Sequence, residues 1–132
     1  PYARLMAAHK VDMIMTAHIF NAHIDPKHPA TLSKAAIQGL LRERLGYQGV
    51  VISDDLQMKA VTAFYGLEKA VELAVNAGVD ILLFGNNLVY DPEIPGKVRE
   101  MLLAMVADGR VKESQIREAA ARVRTLKRRL AR

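Results

Sequence analysis

Cysteine and tryptophan are both missing from this chain, and aromatic residues as a class make up only 5% of it. Without thiols there can be no disulfides and no thiolate metal sites, so order must come from burial and hydrogen bonding. No apolar run approaches the ~18–20 residues that a helix needs to cross a bilayer. The opening Pro1-Tyr2-Ala3-Arg4-Leu5 offers neither an initiator Met nor an apolar h-region, so no signal peptide is visible. That leaves the compartment open, with the cytoplasm favoured over export.

What is present is ordinary for a globular domain: 132 residues, 51% apolar and 25% charged. That is enough chain for one domain with a real core and too little for two. The net charge of +5 is unevenly placed. Arg110 to Arg132 carries nine Lys/Arg against two Glu, while the other residues carry ten against twelve. A basic tail can bind nucleic acid or an anionic membrane surface. The reading adopted is a solvated helix face with cations near a C-terminus, because no aromatic side chains interleave the charges for base stacking.

Pro1 to about His9 reads as the end of a helix, a first sign that the chain is part of something longer. Val11 to Ile19 is apolar enough for a buried strand, with Thr16 and His18 at or past its end. Phe20 to Leu32 is a loop broken by Asp25-Pro26 and His28-Pro29. Ser33 is the expected N-cap of a helix with Ala36, Ile37, Leu40, Leu41 and Leu45 on one face. Arg42, Glu43 and Arg44 are expected to be solvated, and Gly46 to stop the helix. Gly49 to Ser53 is a second buried strand. Leu56 to Phe64 and Leu67 to Ala77 read as helix, interrupted at Tyr65-Gly66. Val79 to Phe84 is a third strand, ending in Gly85-Asn86-Asn87. Lys97 to Ala107 is helical, stopped by Asp108-Gly109. Ser114 is expected to cap a last helix with Ile116, Ala119 or Ala120, Val123, Leu126 and Leu130 on its apolar stripe. That stripe can pack on its own domain, on a neighbour, or as a coiled coil, for which two heptads are few.

Strands beginning near residues 12, 49 and 79, each followed by helix, match right-handed βαβ units and a parallel sheet. Three such strands make a small open sheet, or consecutive staves of a (β/α)8 barrel, which needs about 250 residues. Either way, Thr16 and His18, then Ser53, Asp54 and Asp55, then Asn86 and Asn87 fall on the rim where α/β proteins place their chemistry. Three readings of Asp54-Asp55 stand side by side. One carboxylate is a nucleophile held ionised by donors such as Ser53 and backbone N–H groups. Both bind Mg2+ in a small open-sheet module. Or one caps the helix near Leu56. Asp54 is assigned the functional part and Asp55 a capping or supporting one. His18, His23 and His28 lack the spacing of a compact ligand pair, so no metal site is expected. His18 is placed as a hydrogen-bond partner of substrate or carboxylate, or as structural; His9, on the opposite rim, is structural.

Met13-Ile14-Met15-Thr16-Ala17-His18-Ile19, Pro29-Ala30-Thr31-Leu32-Ser33, Leu40-Leu41-Arg42 and Gly49-Val50-Val51-Ile52-Ser53-Asp54-Asp55-Leu56 with Met58 follow one another in an order and spacing that resembles glycoside hydrolase family 3. The resemblance is strongest to the beta-N-acetylhexosaminidase (beta-N-acetylglucosaminidase) branch. Ala77-Gly78-Val79-Asp80-Ile81-Leu82-Leu83 and the basic closing helix also fit, so essentially the whole chain is covered.

The resemblance implies an α/β fold: the C-terminal portion, about strands six to eight, of a (β/α)8 TIM barrel, as three parallel strands with intervening helices. Residues 1–109 would be the partial catalytic barrel and 110–132 a basic amphipathic helix packed on it. It further implies that Asp54, after the Ser of the seventh strand, is the nucleophile of a retaining exo-glycosidase acting on terminal beta-linked N-acetylhexosamine. Asp55, His18 and Met58 would be substrate-binding or supporting. The branch's acid/base His, held by an Asp in a loop after a Lys-His-Phe-Pro-Gly-type motif, has no counterpart here; neither His18 nor Asp25 matches it. The isolated chain is therefore expected to be inactive and at best marginally folded. A family 3 beta-glucosidase is the runner-up, disfavoured because Asp55 rather than Trp follows Asp54. No cofactor, nucleic acid or membrane is expected. The expected partners are a carbohydrate substrate, peptidoglycan-derived or another hexosaminide, and the missing N-terminal half of the barrel.

Overall fold

A computed structural model describes residues 2–87 and 90–131; Pro1 and Arg132, which bound two of the expected elements, lie outside them. The order is α1 (Tyr2–Ala7), β1 (Met13–Met15), a 3-10 turn (Ala30–Leu32), a π helix (Ala35–Arg44), β2 (Val50–Ile52), α2 (Lys59–Ala77), α3 (Ile94–Ala107) and α4 (Glu113–Leu130).

β1 and β2 pair in parallel, Met13 opposite Val50, Ile14 opposite Val51 and Met15 opposite Ile52. Paired residues share a face of the sheet. Ile14 and Val51 lie on the side that joins the main core, with Leu56, Val61, Ala70, Val71, Ala74, Val98 and Met105 from the turn and helices behind it. On the other side Met13 and Met15 remain 44% and 57% exposed. One face of the sheet is thus packed by helices; on the other the two thioethers are bare while Val50 is buried.

The third strand is present but barely regular: its one recorded rung joins Ile52 to Ile81 in parallel. The reason is that two side chains occupy places in the ladder. The Val51 N–H goes to Asp80 Oδ2 at 2.8 Å, and the Leu83 N–H goes to Ser53 Oγ at 2.8 Å. Main-chain bonds from Asp80 and Ile81 to the Val51 carbonyl, and from Ser53 to the Ile81 carbonyl, keep the strand in register.

Several element boundaries follow the sequence and several do not. Ser33 Oγ accepts the Ala36 N–H at 3.1 Å, as an N-cap should, and Gly46 ends the helix at φ 68°. The helix between them is π-type, closed by the Leu45 N–H on the Leu40 carbonyl, a geometry that side-chain periodicity does not distinguish from α. α2 starts at Lys59 rather than Leu56 because residues 55–58 form a turn, with the Met58 N–H on the Asp55 carbonyl. Its interruption falls at Gly66, whose φ of 69° and ψ of 166° are open to glycine and strained for other residues. α3 begins earlier than expected, at Ile94, with Pro95 in its first turn, where a missing N–H costs nothing. Ser114 is not the cap of α4. The helix starts at Glu113, and Gln115 Oε1 takes the Lys112 N–H at 2.9 Å.

The expectation that Arg42 is solvated is overturned, for it is 9% exposed. Its guanidinium donates to the carbonyls of Tyr47 (3.1 Å) and Gly49 (2.6 Å) and to Asp80 Oδ2 (2.7 Å). The other oxygen of Asp80 takes Arg122 Nε of α4 at 2.8 Å. Burial pulls the Arg42 guanidinium below its ordinary value and the Asp80 carboxylate opposes that pull; an arginine stays charged regardless. Arg129, further along α4, pairs with Asp12 ahead of β1 at 2.7 Å. The basic helix therefore runs beneath the amino ends of the strands, held there by carboxylates of the sheet. Its apolar positions Ile116, Ala119, Ala120 and Val123 line a groove with Val75, Val79, Leu82 and Leu102, so the stripe faces this chain's own sheet and helices. Among the described residues no helix is long and apolar enough to cross a membrane.

Candidate active site

β2 ends at Ile52, and the three polar residues after it part company. Ser53 is fully buried, its hydroxyl accepting the Leu83 N–H. It is therefore a strap between strands, not the expected donor to Asp54. Asp54 is half-buried, and its Oδ1 accepts the N–H of Asp55 at 2.8 Å. The other oxygen takes no hydrogen bond among the described residues. A backbone N–H on one oxygen restrains the plane of the carboxylate.

Asp55 turns back into the scaffold. Its Oδ1 accepts the N–H groups of Gln57 at 2.9 Å and Gly85 at 3.0 Å, tying the turn after β2 to the end of the third strand. A β-carbon built on Gly85 would stand 2.6 Å from Asp55 Oδ2, so this approach requires glycine. An oxygen already holding two N–H donors is poorly disposed to ligate Mg2+, and no group of three or more His, Asp or Glu suited to a metal occurs among the described residues.

His18 reaches the same turn from the other flank. Its Nε2 lies 2.9 Å from the carbonyl oxygen of Asp55. A carbonyl only accepts, so Nε2 carries the proton and donates. Nδ1 is buried without a partner among the described residues. Met58, the residue ahead of α2, is 39% exposed and bonds through its N–H to the same carbonyl. The four residues singled out from the sequence thus meet at one strand end, linked through Asp55.

Other rim residues do not join them. Thr16 Oγ1 donates to Thr31 Oγ1 at 2.9 Å. Asn86, at φ 53°, spends its side-chain amide on both main-chain groups of Asp91, which makes it a loop brace. Asp25 accepts from the hydroxyl of Ser33 at 2.6 Å and from the N–H groups of Lys27 and His28. The Ser33 hydroxyl, ahead of the other contacts, holds the Asp25 carboxyl below its ordinary value. Sequence reasoning missed Gly85 and Gln57, whose contributions are a main-chain N–H and, from Gln57 Oε1, a bond to the Asn86 N–H at 2.7 Å. A glycine directly after a buried strand was the available signal for the first; nothing marked the second.

Comparison with proteins of known family and structure gives the chain's family. Residues 1–126 match the glycosyl hydrolase family 3 N terminal domain. A beta-hexosaminidase of Mannheimia succiniciproducens is 41% identical over 86 residues, 65% of this chain and 24% of that protein. A family 3 beta-N-acetylglucosaminidase structure from Paenibacillus sp. str. FPU-7 superposes with a TM-score of 0.89 at 40% identity, over 98% of this chain and 24% of that one. The beta-N-acetylglucosaminidase of Thermotoga maritima superposes with a TM-score of 0.80 at 33% identity, over 95% and 27%. The chain spans about a quarter of the length of these relatives. With parallel strands, helices on one face and a match that runs nearly end to end, the chain belongs to glycoside hydrolase family 3, in whose TIM-barrel-type N-terminal domain it lies.

Proposed function

We propose that this chain supplies the nucleophile end of a beta-N-acetylhexosaminidase barrel, its β1, β2 and third strand being about the sixth, seventh and eighth staves. Residues 1–109 are then barrel and 110–132 the basic helix closing its floor. The observation that carries this reading is the state of Asp54. It is a carboxylate at the carboxyl end of a buried parallel strand, with one oxygen fixed by a backbone N–H and the other without a hydrogen bond among the described residues, on the rim that barrel enzymes use for chemistry.

In the proposed reaction an oxygen of Asp54 attacks the anomeric carbon of a terminal beta-linked N-acetylhexosamine. A carbon–oxygen bond to Asp54 forms as the bond to the leaving group breaks, and the leaving oxygen takes a proton from an acid supplied elsewhere in the barrel. Water then attacks the same carbon, Asp54 departs as carboxylate, and the released proton returns to that acid. Two displacements give retention, with the two groups in such enzymes ~5–5.5 Å apart. His18, Asp55 and Met58 support Asp54 or the sugar. Asp55, rather than a bulky aromatic, after the nucleophile favours the hexosaminidase branch over a beta-glucosidase.

The test is made on a protein carrying this sequence with the remaining staves. Asp54→Asn should abolish release of nitrophenol from a nitrophenyl N-acetylglucosaminide while leaving the circular dichroism unchanged. A 5-fluoro-glycosyl fluoride should leave a covalent adduct on Asp54, read by peptide mass. Undiminished turnover of Asp54→Asn refutes the assignment.

A further inference from the structure

We infer that His18 is a positioning residue for Asp54, acting through the backbone of Asp55, whose carbonyl it holds and whose N–H holds Asp54, and not by touching the sugar. This inference rests on reading Asp54 as the nucleophile.

The chain of contacts is short. The Asp55 N–H fixes Asp54 Oδ1 at 2.8 Å, so the tilt of the peptide group at Asp54-Asp55 sets the plane of the attacking carboxylate. What sets Asp55 is a set of three restraints from neighbouring strands, one of them the Leu56 N–H on the Leu83 carbonyl at 3.0 Å. From the third strand, the Gly85 N–H takes its carboxylate at 3.0 Å. From β1, His18 Nε2 takes its carbonyl at 2.9 Å. Main-chain pairing between β1 and β2 reaches only as far as the Thr16 N–H on the Ile52 carbonyl, at 2.9 Å. Beyond that point the strands diverge into their loops, and the His18 ring stands in for a ladder bond.

The ring is suited to this and poorly suited to binding substrate. Its Nε2 proton is committed to a carbonyl, and its Nδ1 is enclosed within the chain's own atoms, so neither nitrogen faces an open pocket. An imidazole has only two side-chain torsions to restrain, and planar rigidity is what a spacer between strands needs. Displacing a reacting group by about 1 Å is enough to cost ~10²-fold in rate. The expected signature is therefore a fall in kcat with substrate binding preserved.

The experiment compares His18→Leu, His18→Gln and His18→Asn in a protein carrying this sequence with the remaining staves. Nitrophenyl N-acetylglucosaminide is the substrate and calorimetric Tm the control. The Nε2 of Gln falls close to that of the imidazole, whereas the shorter Asn cannot reach the Asp55 carbonyl. His18→Leu and His18→Asn should lose about 10²-fold in kcat with KM held within about threefold. His18→Gln should recover most of that loss, and trapping of Asp54 by the 5-fluoro-glycosyl fluoride should slow in parallel. A rise in KM at unchanged kcat overturns the inference by placing His18 on the sugar. So does equal damage in His18→Gln and His18→Asn at unchanged Tm. Should His18→Leu fail to fold, the Gln and Asn pair decides alone. If Asp54→Asn is inactive while His18→Asn keeps full kcat, the nucleophile reading stands and only the positioning role falls.

Discussion

Asp80 takes the Arg42 guanidinium at 2.7 Å on one carboxylate oxygen and the Arg122 Nε at 2.8 Å on the other, in a side chain with no solvent exposure. Three elements distant in sequence, the π helix, the third strand and α4, thus share a single buried negative charge. Removing that charge strands two cations, one of them buried. Breaking a buried pair by deleting one partner costs about 3–5 kcal/mol. Asp80→Ala in a protein with the remaining staves should lose stability on that scale by urea unfolding. A loss below about 1 kcal/mol would show the network to be dispensable.

Gly85 predicts a coupling. The β-carbon of Gly85→Ala would stand 2.6 Å from Asp55 Oδ2, the far end of a side chain, so the carboxylate gives way and its bond to the Gly85 N–H is disturbed. Turnover should fall between about 10- and 100-fold. Once Asp55→Ala has removed the carboxylate, Gly85→Ala should add little, since coupled sites are not additive. Full additivity in a double-mutant cycle would show that the two act apart.

The 132-residue chain by itself should release no nitrophenol from a nitrophenyl N-acetylglucosaminide. Met13 and Met15 on the uncovered face should bind an apolar dye, and a peptide comprising the remaining staves should suppress that binding. Turnover by the purified chain, lost on Asp54→Asn, would contradict this expectation.

Acid stability should bear the mark of Asp25. Its folded-state value is depressed from an ordinary 3.8, the Ser33 hydroxyl being the largest cause. A carboxylate of this kind contributes its full stabilisation above about pH 3.8 and loses it as pH falls through the depressed value. Ser33→Ala should cost about 1 kcal/mol at neutral pH through the lost cap, together with part of the Asp25 contribution. The Asp25 part should fade as the solution is acidified below pH 3.8. A deficit that grew on acidification would reverse the sign and refute the attribution.

The sequence made the strands, the rim and the position of Asp54 legible because these depend on local pattern: β-branched runs, helix breakers, and polar groups where apolar runs stop. It misplaced Arg42 because a charged residue beside Glu43 and Arg44 looks solvent-facing until a carboxylate 38 positions later is known to meet it. It placed Ser53 and Asn86 in the site because their side chains are polar and near the rim. Only three-dimensional contact shows that one straps a strand and the other braces a loop. The role of Asp55 was half visible, since a support was expected of it, but its partners Gly85 and His18 come from different strands and leave no spacing to read.

Gly66 divides α2 into two parts. Ahead of it, Tyr65 donates its hydroxyl to the Lys27 carbonyl at 3.1 Å and leans against the His28 ring, 6.1 Å between centroids. Behind it, Ala70, Val71, Ala74 and Val75 are embedded in the core. The front segment thus meets the loop over the rim through Tyr65 and the core through Val61, which is fully buried. The change of direction at this one glycine lets Tyr65 reach the loop while Val61 ahead of it and Val71 behind it share one core.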